Sequence, residues 1–317
     1  MQSILAVDVG GTKTWLRLTQ TDQTQLRLIK EERVSSPQYA DIFALLKGFL
    51  PADVRIDAAC FGVPGPVEQN KARLTNLPWQ VDAQEIGRCY SIPQVNLIND
   101  FAAIAYGIAG LADEDLYVLQ SGQPRAFGVK VVTGAGTGLG VSTLVFLKDD
   151  YVPLPSEGGH IDFAPRNKTQ CALLDFLLTI YPQHVSYERL LTGSGLTLIY
   201  RFVSGGEELP PALITDQALK QTHPVAIQAL DLFIDIYGAY AGNLTLTMLP
   251  QAGVYIAGGI APKIITALQS GRFMRAFVDK GRYENLLSGI PVAVIINEKV
   301  GLLGAHRYAL ASLRSQT

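Results

Sequence analysis

Ile4-Leu-Ala-Val-Asp-Val-Gly-Gly-Thr-Lys-Thr-Trp-Leu-Arg-Leu-Thr19 decides the fold. Ile4 to Val9 is apolar and β-branched with one acid, Asp8, which is the pattern of a buried strand. Gly10, Gly11 and Thr12 break it. Thr14 to Thr19 then alternates polar and apolar, a strand pattern and not a helical one. The unit is therefore strand, glycine turn, strand. Both familiar phosphate loops place a helix after their glycines. Here Lys13 follows Thr12, no glycine stands five residues before Thr12, and a second strand follows, so neither loop is present.

The same unit returns further on. Gly128 to Thr133 reads as a strand, Gly134-Ala-Gly-Thr-Gly-Leu-Gly140 as a glycine turn, and Val141 to Leu147 as a strand again. Two copies imply a duplicated architecture with a ligand held between them. Between the copies, strands and helices alternate. Gln25 to Val34 and Ile56 to Val63 read as strands, and Gly62 to Pro66 as a turn. Tyr39 to Leu50 and Ala83 to Tyr90 read as helices, and Leu74 to Trp79 as a loop. Val95 to Ile98 is a strand running through Asn99 and Asp100 into an Ala-rich helix, Phe101 to Leu111. This is an α/β layout with mixed sheets. The polar, turn-rich stretch from Ala112 to Arg125 places a domain boundary there. Beyond the second glycine unit, helices are expected at Thr169 to Tyr181, at Pro224 to about Thr247 with a break at Gly242, and at Ile260 to Ser270. Strands are expected at Val254 to Ala257 and Pro291 to Ile296. Gly301 to Leu313 reads as a terminal helix packed back on the first domain.

Composition narrows the function. The chain has 317 residues, 48% of them hydrophobic and 17% charged, which supports a large core in two domains or one large α/β unit and argues against disorder. A net charge of −2 without a basic run argues against nucleic-acid and anionic-membrane partners. No stretch approaches ~18 consecutive apolar residues, so no membrane span is expected, and the N-terminus lacks a signal-peptide pattern. Cys60, Cys89 and Cys171 are odd in number and far apart, which suits a reducing cytoplasm.

Several residues are candidates for chemistry. In an open α/β sheet, ligands sit outside the carboxyl ends of the strands. Asp100, at such an end, either faces that crevice or N-caps the helix that follows. Asp8, Gly10, Gly11 and Thr12 form one candidate phosphate site, since glycines let backbone N–H groups approach oxygens. Asp8 could hold Mg²⁺ through water. Gly136, Thr137 and Gly138 form a second such site, and Gly258 and Gly259 are a third glycine-lined place where a flat base could lie. Asn99, Asp100, Glu157, His160 and Glu188 offer the donors and acceptors that sugar hydroxyls need. Glu157 could equally be a solvated loop acid, His160 a structural histidine, and Glu188 a surface acid in a first helical turn ahead of a Gly193-Ser194-Gly195 turn. Glycine loops joined to an acid-rich polar pocket suggest phosphoryl transfer to a sugar hydroxyl.

Taken in order, these motifs resemble those of the bacterial glucokinase family, within the sugar kinase, heat-shock protein and actin superfamily. Asp8-Val-Gly-Gly-Thr12 and Gly134-Ala-Gly-Thr-Gly-Leu-Gly140 resemble its two phosphate motifs, and Leu97-Ile-Asn-Asp-Phe101 its catalytic-base motif. Pro155-Ser-Glu-Gly-Gly-His-Ile-Asp-Phe-Ala-Pro165 and Glu188-Arg-Leu-Leu-Thr-Gly-Ser-Gly195 resemble its sugar-binding segments, and Val254-Tyr-Ile-Ala-Gly-Gly-Ile260 its adenosine motif. The resemblance implies an α/β, two-domain actin-like ATPase (ribonuclease H-like) fold with mixed sheets and an inter-domain cleft. The expected domains are 1–110 with 301–317, and 111–300. It further implies a cytoplasmic homodimer that uses ATP and Mg²⁺ to phosphorylate D-glucose to glucose 6-phosphate, with Asp100 as the base. A hexokinase of the same fold with another hexose or phosphate donor, and a non-catalytic sugar sensor, are the alternatives. The cysteine-rich zinc motif of related repressor-type kinases is missing, as is a helix-turn-helix ahead of Asp8, so neither structural zinc nor a repressor role is expected.

Overall fold

A computed structural model describes residues 1–22, 25–74 and 77–314, so Thr75 and Asn76 of the expected 74–79 loop lie outside the described residues. In chain order the strands and α-helices are β1 (Gln2–Val9), β2 (Lys13–Thr21), β3 (Leu26–Ser35), α1 (Ile42–Phe49), β4 (Ala58–Val63), β5 (Lys71–Arg73), β6 (Gln80–Asp82), α2 (Ala83–Tyr90), β7 (Gln94–Asn99) and α3 (Asp100–Gly107). There follow β8 (Leu116–Gln120), β9 (Lys130–Ala135), β10 (Leu139–Leu147), β11 (Asp150–Ser156), α4 (Lys168–Leu178), α5 (Gly193–Ser204), α6 (Pro211–Leu219) and α7 (Pro224–Met248). The last are β12 (Gly253–Ala257), α8 (Ile265–Leu268), α9 (Arg272–Val278), α10 (Glu284–Ser288), β13 (Val292–Ile295) and α11 (Val300–Arg314). Contacts divide the chain into two units, Met1–Asp113 with Asn297–Thr317, and Glu114–Ile296.

The first unit is built on a five-stranded sheet of order β3-β2-β1-β4-β7. β1 pairs antiparallel with β2 and parallel with β4, so the sheet is mixed. Successive side chains of a strand point to opposite faces, and β1 feeds two cores accordingly. Leu5 and Val7 join Leu16, Leu45, Phe61 and Trp79 on one face. Ile4 and Ala6 join Cys60, Ala103, Leu302 and Ala305 on the other, under α3 and α11. Burial on both faces explains why Ile4 to Val9 is apolar at every position but Asp8. α11 packs in this unit, as its sequence led us to expect. It approaches α3 closely enough that a Cβ on Gly304 would overlap the carbonyl oxygen of Ala103.

The second unit has a six-stranded sheet of order β11-β10-β9-β12-β13-β8. β9 pairs antiparallel with β10 and parallel with β12. This repeats the first sheet: a glycine-linked antiparallel pair, a third antiparallel strand on one side (β3 or β11), and a parallel strand on the other (β4 or β12). The duplication read from two short glycine motifs is thus a duplication of sheet topology. α7 runs through the core of this unit, with Phe233, Tyr237 and Tyr240 fully buried.

Several expectations were overturned. The turn-rich stretch 112–125 contains β8, an edge strand paired with β13. β11 was not expected because Pro153 and Pro155 interrupt it; it is an edge strand, where proline is tolerated. α7 is unbroken at Gly242, whose missing side chain instead lets the helix lie against the backbone of Phe277. The 260–270 segment is a 3₁₀ turn, Ala261–Ile264, followed by the short α8. Gly193 to Gly195 is no turn but the first turn of α5, capped by Thr192, whose Oγ1 accepts from the Gly195 amide at 3.0 Å. α6, α9 and α10 carry no strong periodic signal and were not expected.

Candidate active site

In the first unit the site grows from the ends of β1 and β7. β1 delivers Asp8 opposite Trp15 of β2 and beside Gly62 of β4. The hairpin that follows is held shut by the Gly10 amide, which donates to Lys13 O at 3.0 Å. Ser36, fully buried at the start of the 3₁₀ turn Ser36–Gln38 that follows β3, braces it: its amide donates to Thr12 O at 3.1 Å and its hydroxyl to Gly10 O at 2.7 Å. Ser36 carries no motif and was missed in the sequence. The Asp8 carboxylate also lies against Gly301 at the start of α11, where a Cβ would stand 2.6 Å from Oδ2. Burial, and then the charge of Asp100, push its pKa up to about 7, with Lys13 opposing.

At the end of β7 the roles of Asn99 and Asp100 separate. The cap of α3 is Asn99, whose Oδ1 accepts from the amides of Phe101 at 2.9 Å and Ala102 at 3.3 Å. Its Nδ2 donates to Gly65 O at 3.1 Å. Asp100 is thereby relieved of the capping role and stands as the first residue of the helix, at its positive end. Burial raises its pKa, against hydrogen bonds from the Phe101 amide and from the Asn99 side chain that favour the ionised form. Asp8 and Asp100 thus form a like-charged pair that burial makes unfavourable.

In the second unit the Gly134–Gly140 turn joins β9 to β10, closed by the Gly136 amide on Gly138 O at 2.9 Å. Thr137 and Gly138 at its tip are exposed. Gly258, after β12, has φ +83° and packs on the carbonyl of Ala135, a backbone conformation and a closeness that only glycine meets without strain. Gly259 next to it has open space where a Cβ would stand. The second and third glycine motifs are therefore neighbours in space.

Glu157, His160 and Glu188 also come together. Nε2 of His160 is 3.8 Å from Glu157 Oε2 and 3.8 Å from Glu188 Oε1. Glu188 lies on a 3₁₀ turn, Tyr187–Arg189, and its Oε2 accepts from the Leu139 amide at 2.9 Å. That amide belongs to the second glycine turn. Nothing in the sequence marks Leu139 as a partner of an acid 49 residues away.

The chain as a whole has counterparts among known proteins. The family model described as Glucokinase matches residues 5–312. A glucokinase of Nostoc punctiforme is 42% identical over 96% of this chain and 98% of its own length. Among solved structures, a glucokinase from an Antarctic psychrotroph superposes with a TM-score of 0.84 at 28% identity, over 98% of this chain and 99% of that one. A Balamuthia mandrillaris glucokinase solved in complex with glucose gives 0.79 at 20% identity, over 98% and 94%. The actin-like fold expected from the ordered motifs is the fold of these neighbours.

Proposed function

Since the chain belongs to the glucokinase family and phosphorylates D-glucose to glucose 6-phosphate with ATP, we propose that Asp100 is the group that orients the sugar hydroxyl and takes its proton. One observation carries this assignment: Asn99, not Asp100, caps α3, so the bland role open to Asp100 is already filled. Phosphoryl transfer passes through a loose transition state, so the carboxylate mainly positions the nucleophile and accepts the proton late. A base with a modestly raised pKa suffices.

Glu157, His160 and Glu188 are the proposed partners of the other sugar hydroxyls, supported by their convergence on His160. Asn99 is proposed to act chiefly by holding Asp100. Gly11, Thr12, Thr137 and Gly138 are the proposed phosphate donors. Gly10 and Gly136 shape the two hairpins instead, because their amides are committed within them. Gly258 and the open side of Gly259 are proposed to take the adenosine. Asp8 suits a hydrated divalent cation, since such ions use one or two carboxylates with substrate phosphates. A positive charge there would relieve the unfavourable Asp8–Asp100 pair. Mg²⁺, when bound, supplies charge neutralisation at the phosphates.

A coupled assay for sugar 6-phosphate, with Mg-ATP and a panel of hexoses, tests the reading. Glucose-dependent turnover that is lost in Asp100→Ala supports both reaction and base; near-wild-type turnover in the variant removes Asp100 from the mechanism. Turnover with a different hexose alone would move the substrate. Glucose binding without ATP consumption would make the protein a sensor. We further propose a cytoplasmic homodimer, on the family resemblance and on cysteines left unpaired at positions 60, 89 and 171. Light scattering on the purified chain tests the dimer, and a single-chain mass would refute it. No helix among the described residues is long and apolar enough to cross a membrane.

A further inference from the structure

Glu188 uses its two oxygens differently. Oε2 accepts from the Leu139 amide at 2.9 Å, where the Gly134–Gly140 turn becomes β10. Oε1 faces His160 Nε2 at 3.8 Å, next to the Glu157–His160 loop. Gly138 leaves just enough room for this: a Cβ there would stand 2.9 Å from Oε2.

The backbone that carries Glu188 is fixed. Tyr187, immediately before it, is 1% exposed. Its hydroxyl accepts from Asn243 Nδ2 at 3.0 Å, and its ring centroid lies 4.5 Å from that of Tyr240. Asn243 is in turn held by Lys280, whose Nζ donates to its Oδ1 at 2.7 Å. Beyond Glu188, the Gly193 amide donates to Gly136 O at 3.2 Å, back onto the same glycine turn. With its backbone held on both sides, a change in the Glu188 rotamer acts directly on the Leu139 amide.

We propose that Glu188 couples the sugar subsite to the second phosphate turn, one oxygen receiving a sugar hydroxyl while the other sets the position of the turn. The inference rests on the site reading above, in which the sugar meets Glu188 and phosphate meets Thr137 and Gly138. An ionised carboxylate has about four acceptor sites, so a sugar hydroxyl need not displace the Leu139 amide. Fixing the carboxylate rotamer by one ligand pre-sets the turn for the other. Linkage makes the effect equal in both directions.

Calorimetric titration without turnover tests this, using glucose alone and a non-hydrolysable ATP analogue with Mg²⁺ alone. Gly138→Ala pushes Oε2 away from Leu139. It is expected to weaken glucose binding in the absence of any nucleotide by about tenfold, the scale of a disturbed hydrogen bond to a charged group. Glu188→Ala is expected to weaken the analogue by about tenfold in the absence of sugar. Glu188→Gln keeps a carbonyl oxygen for the Leu139 amide, and should restore analogue binding to within about threefold of wild type while glucose binding stays impaired. A purely structural role for Glu188 would not distinguish Gln from Ala in this split way. If Gly138→Ala does not fold, as a melting curve will show, the Glu188 pair decides alone. Unchanged analogue affinity in Glu188→Ala overturns the coupling, as does unchanged glucose affinity in a folded Gly138→Ala. Wild-type protein that neither binds nor turns over glucose would instead overturn the site reading itself.

Discussion

Replacing Asn99 by alanine removes the bonds that Oδ1 accepts from the Phe101 and Ala102 amides, the one that Nδ2 gives to Gly65 O, and the side-chain bond to Asp100. Losing a helix N-cap costs about 1 kcal/mol. Losing the bond to the Gly65 carbonyl adds about 1 kcal/mol. The sum, about 2 kcal/mol, corresponds to a fall of about 5–10 °C in the melting temperature of a unit this size. Scanning calorimetry reads it directly. Asn99→Ser separates the parts, because serine caps as well as asparagine but lacks the amide donor; it should recover about half the loss. Turnover should drop more than stability in both variants, since Asp100 loses the side-chain donor that favours its ionised form. An Asn99→Ala protein as stable as wild type would refute the cap assignment. A serine variant no better than alanine would refute the partition.

Other outcomes follow from the same structure. Asp100→Asn should lower kcat by ~10²–10⁴-fold, the usual range for a lost general base, while calorimetry shows glucose still bound. Gly304→Ala should destabilise by about 2 kcal/mol in urea titration, despite alanine's better helix propensity, because the new Cβ meets the Ala103 carbonyl across the α3–α11 contact. His306 is 5% exposed, bonded to Thr19 Oγ1 at 2.8 Å, and burial lowers its pKa from 6.5 to about 4. The unfolded chain therefore takes up this proton first. Stability is full above pH 6.5 and is lost as pH falls through 4, by about 3 kcal/mol in all. In His306→Gln that part of the acid sensitivity should vanish from the pH dependence of the unfolding midpoint.

Much of the first sheet was legible because its signals are local. The apolar run from Ile4 to Val7 and the alternation at Thr14 to Thr19 are written in adjacent residues, and each became a strand. The terminal helix was legible for the same reason. β11 and α5 were not, because residues that ordinarily break an element, Pro153 and Gly193, occur where an edge or a capped first turn tolerates them. Site residues divide similarly. Glu157, His160 and Glu188 were singled out by residue type, and both acids stand 3.8 Å from His160. Ser36, Gly301 and the Leu139 amide carry no residue-type signal and matter only through what they touch.

The sequence by itself determined the alternation of strands and helices, the doubled strand–glycine–strand unit and the family, because hydrophobic period and motif order are properties of the chain. Tertiary structure alone decided which of two adjacent polar residues caps α3, since that depends on where an amide at Phe101 and a carbonyl at Gly65 lie. It also decided that one oxygen of Glu188 is spent on a glycine turn 49 residues back in the chain. A hydrogen bond between distant residues is fixed by packing, and no spacing along the chain encodes it.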